Sequence, residues 1–157
     1  MKIIFIQTGK TTEKYVKEGS EIYFDRIKRY ATFEIVTLSG LKSTKGLSSD
    51  EVRKREGQQQ LEYIGNESFL ILLDEHGAEY TTMEFASFLR RSLTNLRKNI
   101  VFLSGGAWGF SPEIYKRADL KLSLSRLTFP HQLVRILFLE QVYRAFTIIE
   151  GDPYHHE

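Results

Sequence analysis

The sequence has no cysteine, a single tryptophan and only three prolines among its 157 residues. Without cysteine the chain cannot form a disulfide, a thiolate metal site or a cysteine nucleophile. It also lacks any apolar run near the roughly 20 residues of a membrane-spanning helix, so we expect no membrane partner. The start, MKIIFIQTGK, has a short apolar run without a small-residue cleavage site and predicts a strand, not a signal peptide. We therefore expect a cytoplasmic protein.

The chain also carries little net charge. Its 22 basic and 20 acidic residues give +2, which is a weak global attraction for nucleic acid. The basic residues are clustered, however, as in RIKRY (26–30), RKR (53–55) and LRK (96–98). Such clusters either bind phosphates or are the solvated faces of helices. What the chain does have is 41% hydrophobic residues, which is enough to bury the core of one domain.

Apolar, β-branched segments alternate with helical patterns along the whole chain. The predicted strands are 2–7, 33–38, 68–73, 99–103 and 118–124. The predicted helices are 12–29, 48–64, 81–93, a short one opened by Ser111-Pro112, and a last one from Pro130 to about 149. Ser48 with Glu51 and Thr81 with Glu84 have the spacing of capping boxes. This alternation predicts an α/β domain with a mostly parallel sheet and helices on both faces.

Three loops that follow predicted strands are rich in glycine or turn residues. They are LDEHGAEY (73–80), SGGAWGFSPE (104–113) and SRLTFPH (125–131). In an open parallel sheet, ligands bind beyond the carboxyl ends of the strands, where these loops lie. The middle loop matches neither the G-x-G-x-x-G fingerprint nor a P-loop. Bare backbone with apolar walls suits a flat heterocycle, and the alternative is a tight strand-to-helix turn in which Trp108 fills an apolar gap.

The last predicted helix is apolar on nearly all sides. This pattern indicates burial on more than one side and, in so small a chain, contact with a second subunit. Glu140 and Arg144 have i, i+4 spacing with the acid first, which is the favourable orientation. Arg144 is therefore either the cation of an ordinary helix salt bridge or a cation held beside a site.

Adjacent histidines, His155 and His156, lie near the end of the chain. As metal ligands they form a poor pair, because adjacent side chains point in different directions. Only His76 and His131 remain as further histidine ligands. We therefore predict no metal site, and a metal-assisted hydrolase that uses the histidine pair is the less favoured alternative.

Four segments taken together closely resemble the ribosomal RNA large-subunit methyltransferase H family. They are Leu73-Asp74-x-x-Gly77, LSGGAWGFSPE (103–113), LSLSRLTFPHQLVRILFLEQVYRAFTI (122–148) and DPYHHE (152–157). Members of this family are small SPOUT-class enzymes that methylate N3 of a pseudouridine in 23S rRNA. The resemblance covers the whole chain and is most specific from about residue 99 onward.

The resemblance implies one SPOUT methyltransferase domain over 1–157, with a C-terminal trefoil knot at about 99–150 and a tail at 151–157. It also implies a homodimer packed through the knot region and S-adenosylmethionine as the cofactor. Carried over by motif, the cofactor contacts would be Leu73, Gly105, Leu124, Ser125, Arg126, Leu127, Thr128 and Phe129.

The catalytic residues implied by the resemblance lie in the last helix and the tail. His155 would remove the N3 proton, Arg144 would stabilise the developing anionic ring, and Tyr154 would position the base or form a hydrogen bond to a neighbour. Family members often end in Tyr-His followed by Arg or Lys, whereas His156 takes that place here, so the choice between His155 and His156 stays open. The role of Trp108 also stays open, between covering the cofactor, stacking on the target base and packing between subunits.

The substrate implied by the resemblance is 23S rRNA within the assembled ribosome. The modest net charge fits a substrate that is recognised by shape and by many small contacts. Two alternatives remain: a non-catalytic ribosome- or RNA-binding factor of the same fold, and a SPOUT methyltransferase that acts on another RNA such as tRNA.

Overall fold

Residues 1–156 are described by a computed structural model, in which a five-stranded sheet carries helices on both faces. The strands are β1 (Ile3–Thr8), β2 (Phe33–Leu38), β3 (Phe69–Glu79), β4 (Ile100–Ser104) and β5 (Leu120–Ser123). The helices are α1 (Lys14–Ile27), α2 (Ser49–Ile64), α3 (Thr82–Asn95), α4 (Pro112–Arg117) and α5 (Leu133–Glu150). The strand order is β2-β1-β4-β3-β5, and the paired strands run parallel.

Each face of the sheet buries its own core. Alternate residues of a strand point to opposite faces, so Ile3 and Phe5 enter one core while Ile4 and Ile6 enter the other. The first core includes residues of α1, α3 and α5, and the second includes residues of α2 and α4. The predicted α/β class, with a parallel sheet between two helical layers, is confirmed. Among residues 1–156, no helix combines the length and apolar character needed to cross a membrane.

The predicted helix starts are confirmed for α2, α3 and α4. Ser48 and Thr81 each accept a hydrogen bond from the N–H three residues on, and both capping boxes are complete. Ser111 caps α4, with Pro112 in the first turn. The predicted start of the last helix at Pro130 was wrong by three residues, because α5 begins at Leu133. Its first turn is tighter than an α-helix, since the N–H of Arg135 donates to the carbonyl of Gln132.

Strand β3 is longer than predicted and pairs with β5 in two places. The predicted strand ended at Leu73, but β3 continues to Glu79 and pairs with β5 a second time. Leu122 is opposite both Leu73 and Ala78, with a bulge between the two pairings. The second pairing positions one wall of the site described below. The trefoil knot and the domain limits stay predictions, and Glu157, the last residue of the predicted tail, lies outside the described residues.

Candidate active site

A cavity of about 590 Å³ opens at the carboxyl ends of β4, β3 and β5. Its walls are the three loops singled out in the sequence, together with the start of α5. They include Leu73, Asp74, Glu75, His76, Gly105, Trp108, Tyr115, Leu124, Leu127, Phe129, His131 and Val134. The volume and the position both match those of ligand sites in parallel α/β proteins.

Most of the predicted cofactor residues lie together in this cavity. Seven of the eight line it: Leu73, Gly105, Leu124, Ser125, Leu127, Thr128 and Phe129. Arg126 is not among the lining residues; its side chain is 85% exposed and forms an ion pair with Glu79 at 3.5 Å. The loops therefore converge as expected, while the contact of each residue with a cofactor stays a prediction.

Carboxylates connect the cavity walls. The Glu75 carboxylate accepts a hydrogen bond from the Thr128 hydroxyl at 2.8 Å, which joins the second half of β3 to the loop after β5. The Asp74 carboxylate accepts one from the Tyr115 hydroxyl at 2.5 Å. Burial and this bond raise the pKa of Tyr115, so its hydroxyl remains a donor. Sequence reasoning did not assign a role to Asp74 or Tyr115, although Asp74 belongs to the Leu73-Asp74-x-x-Gly77 motif.

The glycine loop 105–109 is supported from behind by α2. The Arg53 guanidinium donates to the Trp108 carbonyl at 3.2 Å. A Cβ on Gly106 would lie 2.4 Å from the carboxylate of Glu56, so any larger residue would require the side chain of this buried acid to shift. Burial raises the pKa of Glu56. The indole of Trp108 is 58% exposed, so the alternative in which it fills an apolar gap is wrong.

The three predicted catalytic residues form a second cluster around Glu140. The Glu140 carboxylate accepts from the Arg144 guanidinium at 2.5 Å and from the Tyr154 hydroxyl at 3.1 Å. The guanidinium also lies 4.6 Å from the ring centre of Tyr154 and 3.3 Å from Nδ1 of His155. The bond to Glu140 raises the pKa of Arg144, and burial, with hydrogen bonds to Tyr23 and Glu140, raises that of Tyr154 to about 12.

Comparison with known proteins identifies the family. The family model described as "Predicted SPOUT methyltransferase" matches residues 1–155. This chain is a member of the SPOUT methyltransferase family. A protein of Bacteroides thetaiotaomicron named ribosomal RNA large subunit methyltransferase H is 41% identical over 157 residues, which is 100% of both chains. A protein of the same name from Cytophaga hutchinsonii is 44% identical over 156 residues, 99% of this chain and 100% of that one.

A solved structure supports the fold of this SPOUT methyltransferase. It is a methyltransferase from Legionella pneumophila in complex with bound SAM, with a TM-score of 0.50 and 14% identity. The alignment covers 92% of this chain and 66% of that one. The family resemblance read from the motifs is thus confirmed.

The two clusters of predicted site residues lie apart within one chain. Val134 lines the cavity, whereas none of Arg144, Tyr154 and His155 does. Ten residues of α-helix separate Val134 from Arg144, a rise of about 15 Å along α5. A single chain of this SPOUT methyltransferase therefore does not bring the catalytic cluster to the mouth of its own cavity.

The four histidines are also divided between the two regions. His76 and His131 line the cavity, while His155 contacts Arg144 and His156 is exposed. Among the described residues, no three His, Cys, Asp or Glu side chains are placed to hold a metal ion. His155 contacts the predicted catalytic arginine whereas His156 is exposed, so His155 is the better placed of the two as the candidate base.

Proposed function

We propose that this chain transfers a methyl group from S-adenosylmethionine to N3 of a pseudouridine in 23S rRNA, in the assembled ribosome and in the cytoplasm. The observation that carries the proposal is the cavity, in which seven predicted cofactor residues meet in a member of a methyltransferase family. The substrate class follows the name shared by relatives that match the whole chain. That the methylated base is a pseudouridine, and that N3 is the methylated atom, is inferred from the resemblance of the motifs to the methyltransferase H family.

The cavity fits the chemistry of the cofactor. Leu73, Leu124 and Phe129 supply apolar walls for an adenine ring, and Gly105 leaves backbone groups accessible. Asp74 and Glu75 place carboxylates at a site that would receive a cation. When bound, S-adenosylmethionine supplies a methyl group on a positively charged sulfonium, so the task of the protein is to align donor and acceptor and to accept one proton.

The cluster around Glu140 supplies the groups that act on the substrate. His155 would accept the N3 proton, and Arg144 would offset the negative charge that develops on the ring. Glu140 accepts hydrogen bonds from Arg144 and Tyr154 and so fixes both side chains. The raised pKa of Tyr154, about 12, keeps its hydroxyl protonated and able to donate even in mildly alkaline solution.

A homodimer would bring the catalytic cluster of one chain to the cavity of the other. On the outer side of α1, Tyr15 and Ile22 are 56% and 52% exposed, and their spacing of seven residues puts them on one face. On α5, apolar residues such as Leu133 and Leu137 are only half-buried. These surfaces support packing of two copies through α1 and α5, with each tail completing the partner's site.

The activity is tested with ribosomes from a strain that lacks this gene. They are incubated with the protein and labelled S-adenosylmethionine, and the labelled base is mapped. We expect label at N3 of one pseudouridine of 23S rRNA. Label in tRNA instead would favour a SPOUT methyltransferase of another specificity, and ribosome binding without any label would favour a non-catalytic factor.

The catalytic assignment is tested with Arg144→Ala and His155→Ala. Both should fold, as checked by circular dichroism, and both should lose methyl transfer.

The two-chain site is tested by mixing Arg144→Ala with Thr128→Arg, which puts a large side chain into the cavity from an exposed position. Mixed dimers should regain activity if each site takes residues from both chains, because one of the two sites is then intact. No recovery in mixed dimers would show that each chain works alone.

A further inference from the structure

The mouth of the cavity carries an unusual amount of exposed apolar surface. Leu127 is 71% exposed and Trp108 is 58% exposed, which are the highest values for large hydrophobic side chains in residues 1–156. They come from different loops, yet both line the same cavity. Exposed apolar surface that is concentrated at one place marks an interaction site. We propose that Trp108 is the stacking surface for an unpaired base of the RNA substrate, an inference that takes the identity of the RNA from the proposed function.

The backbone that carries Trp108 is held by hydrogen bonds on both sides, which defines the point from which the indole projects. The Arg53 guanidinium donates to the Trp108 carbonyl from α2. On the other side of the turn, the N–H of Gly109 donates to the carbonyl of Gly106 at 3.1 Å. An aromatic side chain on such a held backbone loses less conformational entropy when a ligand stacks on it than one on a mobile loop. This is what a base-stacking platform requires.

Basic side chains accompany the exposed surface and favour RNA as its partner. Arg53 contacts the loop of Trp108, Arg126 precedes Leu127, and the ammonium of Lys121 lies 5.6 Å from the ring centre of Tyr115. Arg126 pairs with Glu79 at an exposed position, and such a pair is weak enough to exchange for a phosphate. Aromatic surface interleaved with cations is typical of single-strand nucleic-acid sites. The core of an interface between two protein copies is instead depleted in charge.

The proposed chemistry also requires an unpaired base. N3 of a uracil-type ring lies on its pairing edge, so in a duplex it is engaged with the opposite strand. A base that leaves its stack loses contact with its neighbours, and an aromatic side chain restores part of that contact. The substrate segment at Trp108 is therefore single-stranded RNA or a base displaced from a helix.

Trp108 is the only tryptophan of the chain, so its fluorescence reports this site directly. The full-length protein is titrated with a short single-stranded RNA that contains pseudouridine, and with the duplex form of the same RNA. We expect strong quenching by the single strand and little by the duplex. RNA binding that is measured independently, by filter retention, but leaves the fluorescence unchanged would overturn the proposal.

Variants separate stacking from the other roles open to Trp108. Trp108→Leu should weaken single-stranded RNA binding roughly ten-fold or more and raise the KM for RNA, with S-adenosylmethionine affinity by calorimetry unchanged. Trp108→Phe should keep much of the RNA affinity. Tyr63→Leu removes an aromatic residue that is 50% exposed on α2 but does not line the cavity, and it should change neither affinity.

Other outcomes assign Trp108 elsewhere. Loss of cofactor affinity in Trp108→Leu with normal RNA affinity would make Trp108 a cofactor cover and overturn the proposal. If Trp108→Leu instead shifted the monomer–dimer equilibrium and kept normal RNA affinity, Trp108 would be an interface residue, and the proposal would again be overturned. Quenching by RNA in a protein that transfers no methyl would contradict the proposed function while supporting the stacking site. Methyl label in rRNA without fluorescence quenching would support the proposed function and contradict the stacking site.

Discussion

Gly77 lies so close to the backbone of Lys121 that a Cβ on it would be 2.6 Å from the Lys121 carbonyl carbon. Gly77 lies between the two places where β3 pairs with β5. The backbone of β5 cannot move aside, because it is hydrogen-bonded to β3 on the same edge of the sheet. Any side chain at position 77 would therefore separate the two segments that form one wall of the cavity.

Replacement of this glycine should destabilise the protein. Gly77→Ala is expected to lower the free energy of unfolding by roughly 1–3 kcal/mol through overpacking, as measured by denaturant titration. Gly19→Ala in α1 is the matched control, since the nearest neighbours of its Cβ would be side-chain atoms of Ile136, at 3.2 to 3.5 Å, and not backbone atoms. The control should be neutral or stabilising because alanine favours a helix. Equal stability of Gly77→Ala and the wild type would show that β3 and β5 can separate here.

A second stability prediction concerns Arg135, whose side chain is completely buried. Its guanidinium donates to the carbonyls of Thr8 and Gly9 at 2.8 and 2.9 Å and so ties the start of α5 to the loop after β1. Arg135→Met should cost about 3 kcal/mol, because it removes hydrogen bonds from a charged donor and leaves carbonyls unsatisfied. Arg91→Met, at an exposed position of α3, should stay near the wild type in the same thermal or denaturant unfolding experiment. A similar loss in both variants would refute a special role for Arg135.

The sequence was sufficient to predict the features that depend on neighbouring residues. Buried strands appear as short apolar runs, and helix starts appear as capping residues, so Ser48, Thr81 and Ser111 were placed correctly. The three loops could be grouped because the carboxyl ends of parallel strands lie at one edge of a sheet. The same reasoning from the loops indicated Leu73, Leu124, Leu127 and Phe129 as apolar pocket walls, whereas the other predicted cofactor residues came from the family resemblance.

Features that depend on distant residues could not be predicted. The extension of β3 to Glu79 is polar in sequence and is a strand only because β5 pairs with it. Arg135 lies on an apolar helix, and its partner Thr8 is 127 residues away along the chain. Glu56 has no local pattern that marks it as buried, since its neighbour is the glycine loop between β4 and α4.

Glu56 gives a pH-dependent prediction. Burial raises its pKa, so the folded state favours the neutral acid more than the unfolded state does. The contribution of Glu56 to stability is therefore most favourable below the unfolded pKa of about 4.3 and is lost as the pH rises through the higher folded pKa. Glu56→Gln removes this loss, so the variant should exceed the wild type in stability at neutral pH and approach it in acid.

The measurement for Glu56 is a series of unfolding midpoints at several pH values. Glu62→Gln, at an exposed position of the same helix, should show the same pH dependence as the wild type. A Glu56→Gln protein that is less stable than the wild type at neutral pH would mean that the carboxylate of Glu56 is ionised and needed by its surroundings.

The hydrogen bond from Thr128 to Glu75 links two walls of the cavity, and its removal should weaken cofactor binding without unfolding the protein. Thr128→Val keeps the shape of the side chain and removes only the donor. Since one hydrogen bond contributes about 0.5–1.5 kcal/mol, we expect the Kd for S-adenosylmethionine by calorimetry to rise by roughly two- to ten-fold. Thr94→Val is the matched control, because it loses a hydroxyl bond to the Arg90 carbonyl in α3, away from the cavity. If both variants bound the cofactor like the wild type, β3 and the loop after β5 would have to be held in place by their backbones alone, and the Thr128–Glu75 bond would have no part in forming the site.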